Sequence, residues 1–212
     1  MPRPPRLPNR SAIPEDELAD YDAALARARN MRADQPGASV PPYFAAVLNS
    51  PPIAAGLGNM GRLVRTAGER EGSYSHRDRE LVDQVLSALW ETNVVQSTHL
   101  PDALAVGISL ETIGAIRAGR DDDLSDGDQA LAAYVRAVAT GTVDDASYAA
   151  IVDRFGPRGA VEFTVFIGFL MATVRLHQAL GMDDPSEQDI TDLIASFRDG
   201  SRTVPDFRTR IR

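Results

Sequence analysis

The 212-residue chain contains no cysteine. That absence removes disulfides, thiolate zinc sites, iron–sulfur clusters and every mechanism in which a thiol attacks or is oxidised. Positive charge is also in short supply. Lys and Arg number 22 against 30 Asp and Glu, a net charge of -8. No concentrated basic face is available for a phosphate backbone, and adsorption to an anionic bilayer is disfavoured, so neither nucleic acid nor membrane is an expected partner. There is no Walker loop, no Gly-x-Gly-x-x-Gly following a strand and no Gly-x-Ser-x-Gly, so nucleotides and flavins are not implied. Met1 to Asn9 is rich in Pro and Arg without an apolar core, unlike a secretory signal. The most apolar stretch, Ala160 to Leu176, is short for a bilayer span and carries Glu162 and Arg175; it reads as a buried central helix. Cytoplasmic residence is the resulting expectation.

What is present is ordinary for a globular chain: 43% hydrophobic and 25% charged residues. A chain of this length buries about 70% of its unfolded surface and needs no staples. Residues 1–13, with four prolines, read as an extended arm suited to lying on a neighbouring subunit. Residues 14–199 read as a single all-helical domain, and 200–212 as a basic arm carrying Arg202, Arg208, Arg210 and Arg212. Within the domain, apolar residues recur at helical spacing. Pro14 precedes Leu18, Tyr21, Leu25 and Ala28. Pro41 and Pro42 precede Phe44, Val47 and Leu48, and Pro51 and Pro52 precede Ile53, Leu57, Met60, Leu63 and Val64; proline suits a first helical turn, where its missing N–H goes unnoticed. Ser75 with Asp78, Ser109, Ser125 with Asp128, Asp144 or Asp145, and Ser186 are placed to cap the following helices, and Gly119, Gly141 and Gly181 to stop them. Nine or ten helices follow, with no competing strand. A faint similarity links the run from Glu80 to His99 with that from Glu162 to His177 and suggests two related hairpins.

The segment from Arg77 to His99, RDRELVDQVLSALWETNVVQSTH, resembles the carboxymuconolactone decarboxylase / alkylhydroperoxidase D superfamily, in which an Arg-x-Arg-Glu-Leu start leads into an apolar helix, a break, and a second helix bearing a histidine. The upstream PPIAAGLGNMGRLVR, the downstream ALAVGISLETIGAIRAG and the stretch RFGPRGAVEFTVFIGFLMATVRLHQALGM extend the resemblance over about residues 40–183. It implies a compact all-α, multi-helix AhpD-like fold and a homo-oligomer, a trimer or hexamer. In the peroxidase branch a glutamate precedes Cys-x-x-Cys-x-x-x-His. By spacing the glutamate is Glu80, the histidine His99, and the cysteine positions are Thr92 and Val95, neither of which forms a thiolate. Many members of the decarboxylase branch carry an acid four residues before the histidine, and that position is again Val95.

Glu80 and His99 lie nineteen residues apart, roughly 28 Å along an unbroken helix. They cooperate only if the chain breaks, near Trp90 to Asn93, and folds back. Asn93 is the expected N-cap of the second helix, with Thr92 the alternative. Thr92, Gln96 and His99 then share one face, which reads either as a site or as a polar patch at helix ends or an oligomer contact. His99, with an ordinary pKa of about 6.5, is the candidate catalytic acid/base and Glu80 its orienting partner. Alternatively, Glu80 pairs with Arg77 or Arg79. Gln96, Thr92, Trp90 and His177 are candidate substrate-binding residues, and Arg62 and Arg65 candidate carboxylate clamps, their alternatives being core packing for Trp90 and His177 and a solvated face for the arginines. His76, four residues before Glu80, has chelating spacing, but nothing fixes a third ligand, and no metal or other cofactor is expected. The resemblance thus implies a cofactor-free lyase, or related isomerase or hydrolase, acting on a small carboxylated or lactone substrate. The alternative is a non-catalytic helical oligomeric binding protein. A thiol-free oxidoreductase would need a metal or external cofactor.

Overall fold

The computed structural model describes residues 6–30, 39–70 and 72–206. Among them are nine α-helices and no strand: α1 Leu18–Asn30, α2 Pro42–Val47, α3 Pro51–Ala67, α4 His76–Leu89, α5 Asn93–Ala105, α6 Leu110–Arg117, α7 Asp126–Thr140, α8 Asp145–Leu180 and α9 Glu187–Arg198. The helix boundaries follow local chemistry. Ser75 Oγ accepts from the Asp78 N–H while the Asp78 carboxylate accepts from the Ser75 N–H, a reciprocal cap that satisfies two otherwise orphaned donors. Ser186 and Asp189 repeat it at α9, and Ser109 and Ser125 cap α6 and α7 through their hydroxyls. Gly141 ends α7 at φ 71°, the left-handed region where a Cβ is costly.

The contacts of the chain group into two compact units, residues 1–63 with 175–182, and residues 64–174 with 183–212. In the first, Tyr21, Leu48 and Ala54 form a small buried cluster, with Ile13, Ala24, Leu25 and Val47 packed on it. The described part of the N-terminal arm, from residue 6, contains a single 3-10 turn, Arg10–Ala12. It is tied to α1 of its own chain: Arg10 forks onto Asp22 at 2.8 and 2.7 Å, and the Tyr21 hydroxyl donates to the Pro8 carbonyl at 2.8 Å. Residues 1–5 lie outside the described residues.

The second unit is built around α4, which packs against α5, α6 and α7. Ten of its consecutive residues, Asp78 to Ser87, are buried. Leu81, Val82, Val85 and Leu86 meet Leu100 and Ala103 of α5, Ile113 and Ile116 of α6, Leu131 and Val135 of α7, and Phe163, Phe166 and Ile167 of α8 in one apolar core. Each large side chain buried there contributes about 1.5–3 kcal/mol. Tyr74, fully buried, rests against Phe155, Phe163 and Phe166, and its hydroxyl donates to the Val64 carbonyl.

The range α8 consists of two helical segments that meet at a kink, at the boundary the sequence suggests. Gly156 adopts φ 69°, ψ 168°, and Pro157 follows it. Beyond the kink the helix is continuous to Leu180, so the run from Glu162 to His177 is not a second hairpin like α4–α5. By length and composition alone α8 could cross a membrane. Phe163, Phe166, Ile167 and Leu170 on its inner face are buried in the core, whereas Val161 and Val165 are 54% and 47% exposed. After α9 the described chain to Asp206 has no helix; Arg202 lies over the Phe197 ring at 5.8 Å, and Arg208, Arg210 and Arg212 lie outside the described residues.

Candidate functional site

The helix α4 ends at Leu89 because the chain turns there. Trp90 leaves helical geometry, Glu91 adopts φ 51°, and Thr92 is extended enough to start α5 at Asn93. The break falls inside the segment where the sequence requires it. The N-cap position is Thr92, the alternative, and not Asn93. Asn93 is the first helical residue instead, and its amide donates to the Pro185 carbonyl at 3.0 Å and to Glu187 Oε1 at 2.9 Å, tying the start of α5 to the start of α9. Thr92 caps through its position only, its hydroxyl donating to the Trp90 carbonyl at 3.2 Å.

Folding α5 back along α4 brings Glu80 and His99 together. His99 Nδ1 lies 3.0 Å from Glu80 Oε2, and His76 Nε2 lies 2.8 Å from Glu80 Oε1. Glu80 is 1% exposed, so each oxygen exchanges water for a ring N–H. Burial by itself would raise the Glu80 carboxyl. The charge on His99 and the two imidazole hydrogen bonds outweigh it and hold the group well below the usual carboxylate range. An ionised Glu80 cannot donate, so both rings present N–H to it. The alternative partners for Glu80 are used differently: Arg77 forks onto Asp128 at 2.6 and 2.8 Å, and Arg79 donates to the Arg65 carbonyl at 2.8 Å.

A further carboxylate, Asp83, joins this pair. It sits one turn beyond Glu80, is 1% exposed, and its Oδ2 is 3.3 Å from His99 Nδ1. That oxygen has no hydrogen-bond partner. Burial pushes the Asp83 carboxyl up to about 6; the His99 charge opposes the rise and the Glu80 charge adds to it. On His99 burial acts downward, but the Asp83 and Glu80 charges and the Glu80 hydrogen bond lift the ring to about 9. Sequence reasoning missed Asp83. Its signal was a carboxylate three residues after Glu80, on the same helix face, inside the apolar run Leu81, Val82, Val85 and Leu86.

The other candidates are distributed as follows. Gln96 is buried and committed to protein partners: its oxygen accepts from Arg117 and its amide donates to Gln84 Oε1 at 3.3 Å. Thr92 is buried at the helix break, and Trp90 packs partly buried against the core. Arg65, in the same unit, bears electrostatically on Glu80, Asp83 and His99. Arg62 and His177 belong to the first unit. There His177 stacks on Tyr43, with ring centroids 4.6 Å apart and planes 3° from parallel. A cavity of about 370 Å³ opens between α5 and α9, lined among others by Ser97, Asp189, Leu193 and Arg202, and not by His99.

No protein-family model matches the chain, and no curated protein matches it. Among solved structures it is similar to an uncharacterised peroxidase-related protein from Ralstonia eutropha JMP134 with an alkylhydroperoxidase AhpD core. The two are 17% identical, the match covers 88% of this chain and 95% of that one, and the TM-score is 0.65. The chain therefore has the AhpD-like all-α fold.

Proposed function

We propose that this protein is a cofactor-free proton-transfer enzyme, a lyase or a related isomerase or hydrolase, acting on a small carboxylated or lactone substrate. The observation that carries the reading is the 3.0 Å contact between His99 Nδ1 and the buried Glu80 carboxylate, made across a helix break. A carboxylate on Nδ1–H fixes the ring's tautomer and orientation and leaves Nε2 for substrate, the division of labour by which a histidine is made a positioned acid/base. The His99 side chain is 20% exposed, so the ring is not sealed in the core. In the decarboxylation that the resemblance implies, the bond from carbon to carboxylate breaks and carbon dioxide leaves. The electron pair passes to an adjacent carbonyl as an enolate, and His99 Nε2–H protonates the carbon. Arg65 is the cation available to hold the departing carboxylate. With no cysteine in the chain, thiol-based peroxide reduction is excluded whatever the fold.

The test is turnover of a panel of small keto acids and lactones by wild type and His99→Ala. A loss of about 10²–10⁴-fold is expected; unchanged turnover in the variant removes His99 from the mechanism.

One observation favours a second reading. The cavity between α5 and α9 excludes His99, as a non-catalytic helical binding protein would allow. Ligand binding that is blocked by filling this cavity with Ser97→Trp and untouched by His99→Ala would support it. Under either reading the protein is proposed to act as a cytoplasmic homo-oligomer.

A further inference from the structure

We infer that Glu80, Asp83 and His99 form a binding site for a single first-row divalent cation. Their ligand atoms all lie within 4.8 Å of one another. The two edges that meet at His99 Nδ1, 3.0 Å to Glu80 Oε2 and 3.3 Å to Asp83 Oδ2, match the spacing of neighbouring ligands around one ion. Donors held at about 2.1 Å and about 90–109° to each other stand roughly 3.0–3.4 Å apart.

A second observation points the same way. Asp83 Oδ2 is a buried carboxylate oxygen with no hydrogen-bond donor, aimed at the imidazole nitrogen that Glu80 also faces. It meets the His99 ring only at ion-pair distance, without a hydrogen bond, and a buried carboxylate oxygen that merely shares a ring with a neighbouring carboxylate is costly unless a proton or a further cation meets it. Around these three atoms the protein is already built to hold them. His76 Nε2 binds the outer oxygen of Glu80 at 2.8 Å, the imidazole–carboxylate contact that orients a ligating oxygen from behind. Glu80 and Asp83 are one turn apart on α4, and α5 is locked at its start by Asn93 onto Pro185 and Glu187. In the sequence the chelating spacing was that of His76 and Glu80; in the fold His76 serves behind the ligand set, and Asp83 is the third ligand beside Glu80 and His99.

One imidazole and two carboxylates suit zinc, manganese or ferrous iron. Three protein ligands leave at least one coordination position for water or a substrate oxygen. Binding releases the Nδ1 proton to solvent, because a nitrogen lone pair is needed for the bond. A ring bound through Nδ1 keeps its Nε2 proton and no longer acts as a base. The cation and the Nδ1–H relay are therefore alternative occupants of one site, and the cation proposal stands whether or not the proton-transfer reading holds.

The experiment is calorimetric titration of metal-stripped, full-length protein with Zn²⁺ and separately with Mn²⁺ at pH 7, without substrate. The expected result is saturable uptake of one equivalent of at least one of them, with a Kd in the low micromolar range or below. Asp83→Asn and His99→Gln should each weaken it by 10-fold or more, while Asp122→Asn, at an exposed acid, binds as wild type. Uptake of less than one equivalent at 100 μM metal overturns the proposal, as do Asp83→Asn and His99→Gln proteins that bind like wild type. Should Asp83→Asn fail to fold, Mn²⁺-induced broadening of amide signals in the wild type carries the test. Broadening centred on residues 80, 83 and 99 supports the site, and broadening elsewhere or none overturns it. Turnover in the presence of chelator reads the proton-transfer mechanism separately.

Discussion

At the scale of single residues, the charged side chains of α4 divide between two tasks. Glu80 and Asp83 face His99, while Arg77 and Asp78 hold the helix start: Arg77 forks onto Asp128, and Asp78 accepts from Arg154 at 2.9 Å. The hydrogen bonds from Arg77 hold the Asp128 carboxyl below its ordinary 3.8, against the opposing effect of burial. A carboxylate whose proton is bound more weakly in the folded protein than in the unfolded chain stabilises the fold above its unfolded pKa. That contribution is complete above about pH 4 and is lost as pH falls through the lowered folded value. Asp128→Asn is expected to cost about 1–3 kcal/mol at pH 7 in urea unfolding, the range for a buried charge-assisted pair. The gap from wild type should narrow on acidification below pH 4. A gap that is constant from pH 7 to pH 3 would show that the pair contributes nothing through its charge.

The same scale shows what the sequence could and could not disclose about the site. The caps at Ser75, Ser109, Ser125 and Ser186 are legible because each is a side chain meeting a backbone N–H three residues away. Glu80 and His99 are legible as residue types at a family spacing. Asp83 was less so: it stands inside the apolar run Leu81, Val82, Val85 and Leu86, but the residue it faces, His99, comes from another helix. The commitment of Gln96 to Arg117 and Gln84 was hidden for the same reason.

At the scale of elements, two breaks shape the second unit. The first, at Trp90 to Thr92, turns α5 back onto α4 and so creates the site. The second, at Gly156, bends α8. Its φ 69°, ψ 168° lies in a region open essentially to glycine alone. A Cβ built there meets nothing within 4 Å, so the penalty for a side chain is purely in the backbone. Gly156→Ala is expected to destabilise by about 1–3 kcal/mol, measured by thermal or urea unfolding. A neutral substitution would mean that the backbone at position 156 relaxes into another conformation, which a changed near-UV spectrum from the Phe155 and Tyr74 cluster would reveal. Pro157, read from the sequence as the first residue of a new helix, does open the second segment, directly after the non-helical Gly156.

At the scale of the whole molecule, the question is what covers the apolar residues left on its surface. On α3, Ile53, Met60 and Leu63 are 59%, 43% and 54% exposed. They recur at near-helical spacing and so lie along one side of the helix. Exposed apolar stripes of this kind favour association, which agrees with the homo-oligomer proposed above. Sedimentation at micromolar concentration should give a mass several times 22.9 kDa, and the double substitution Met60→Glu, Leu63→Glu should lower it. A wild-type mass of one chain would end the oligomer proposal.

Composition and local pattern by themselves determined the chemistry this protein cannot perform and the helices it forms. Both depend on residue type and on neighbours within one or two turns: no thiol exists anywhere in the chain, and caps, prolines and apolar periodicity act over three to seven residues. Only the tertiary structure decided which polar groups meet. Three carboxylate and imidazole atoms within 4.8 Å of one another come from positions up to nineteen residues apart. Their approach is set by the angle at which a three-residue turn returns one helix onto another, a quantity no local spacing encodes.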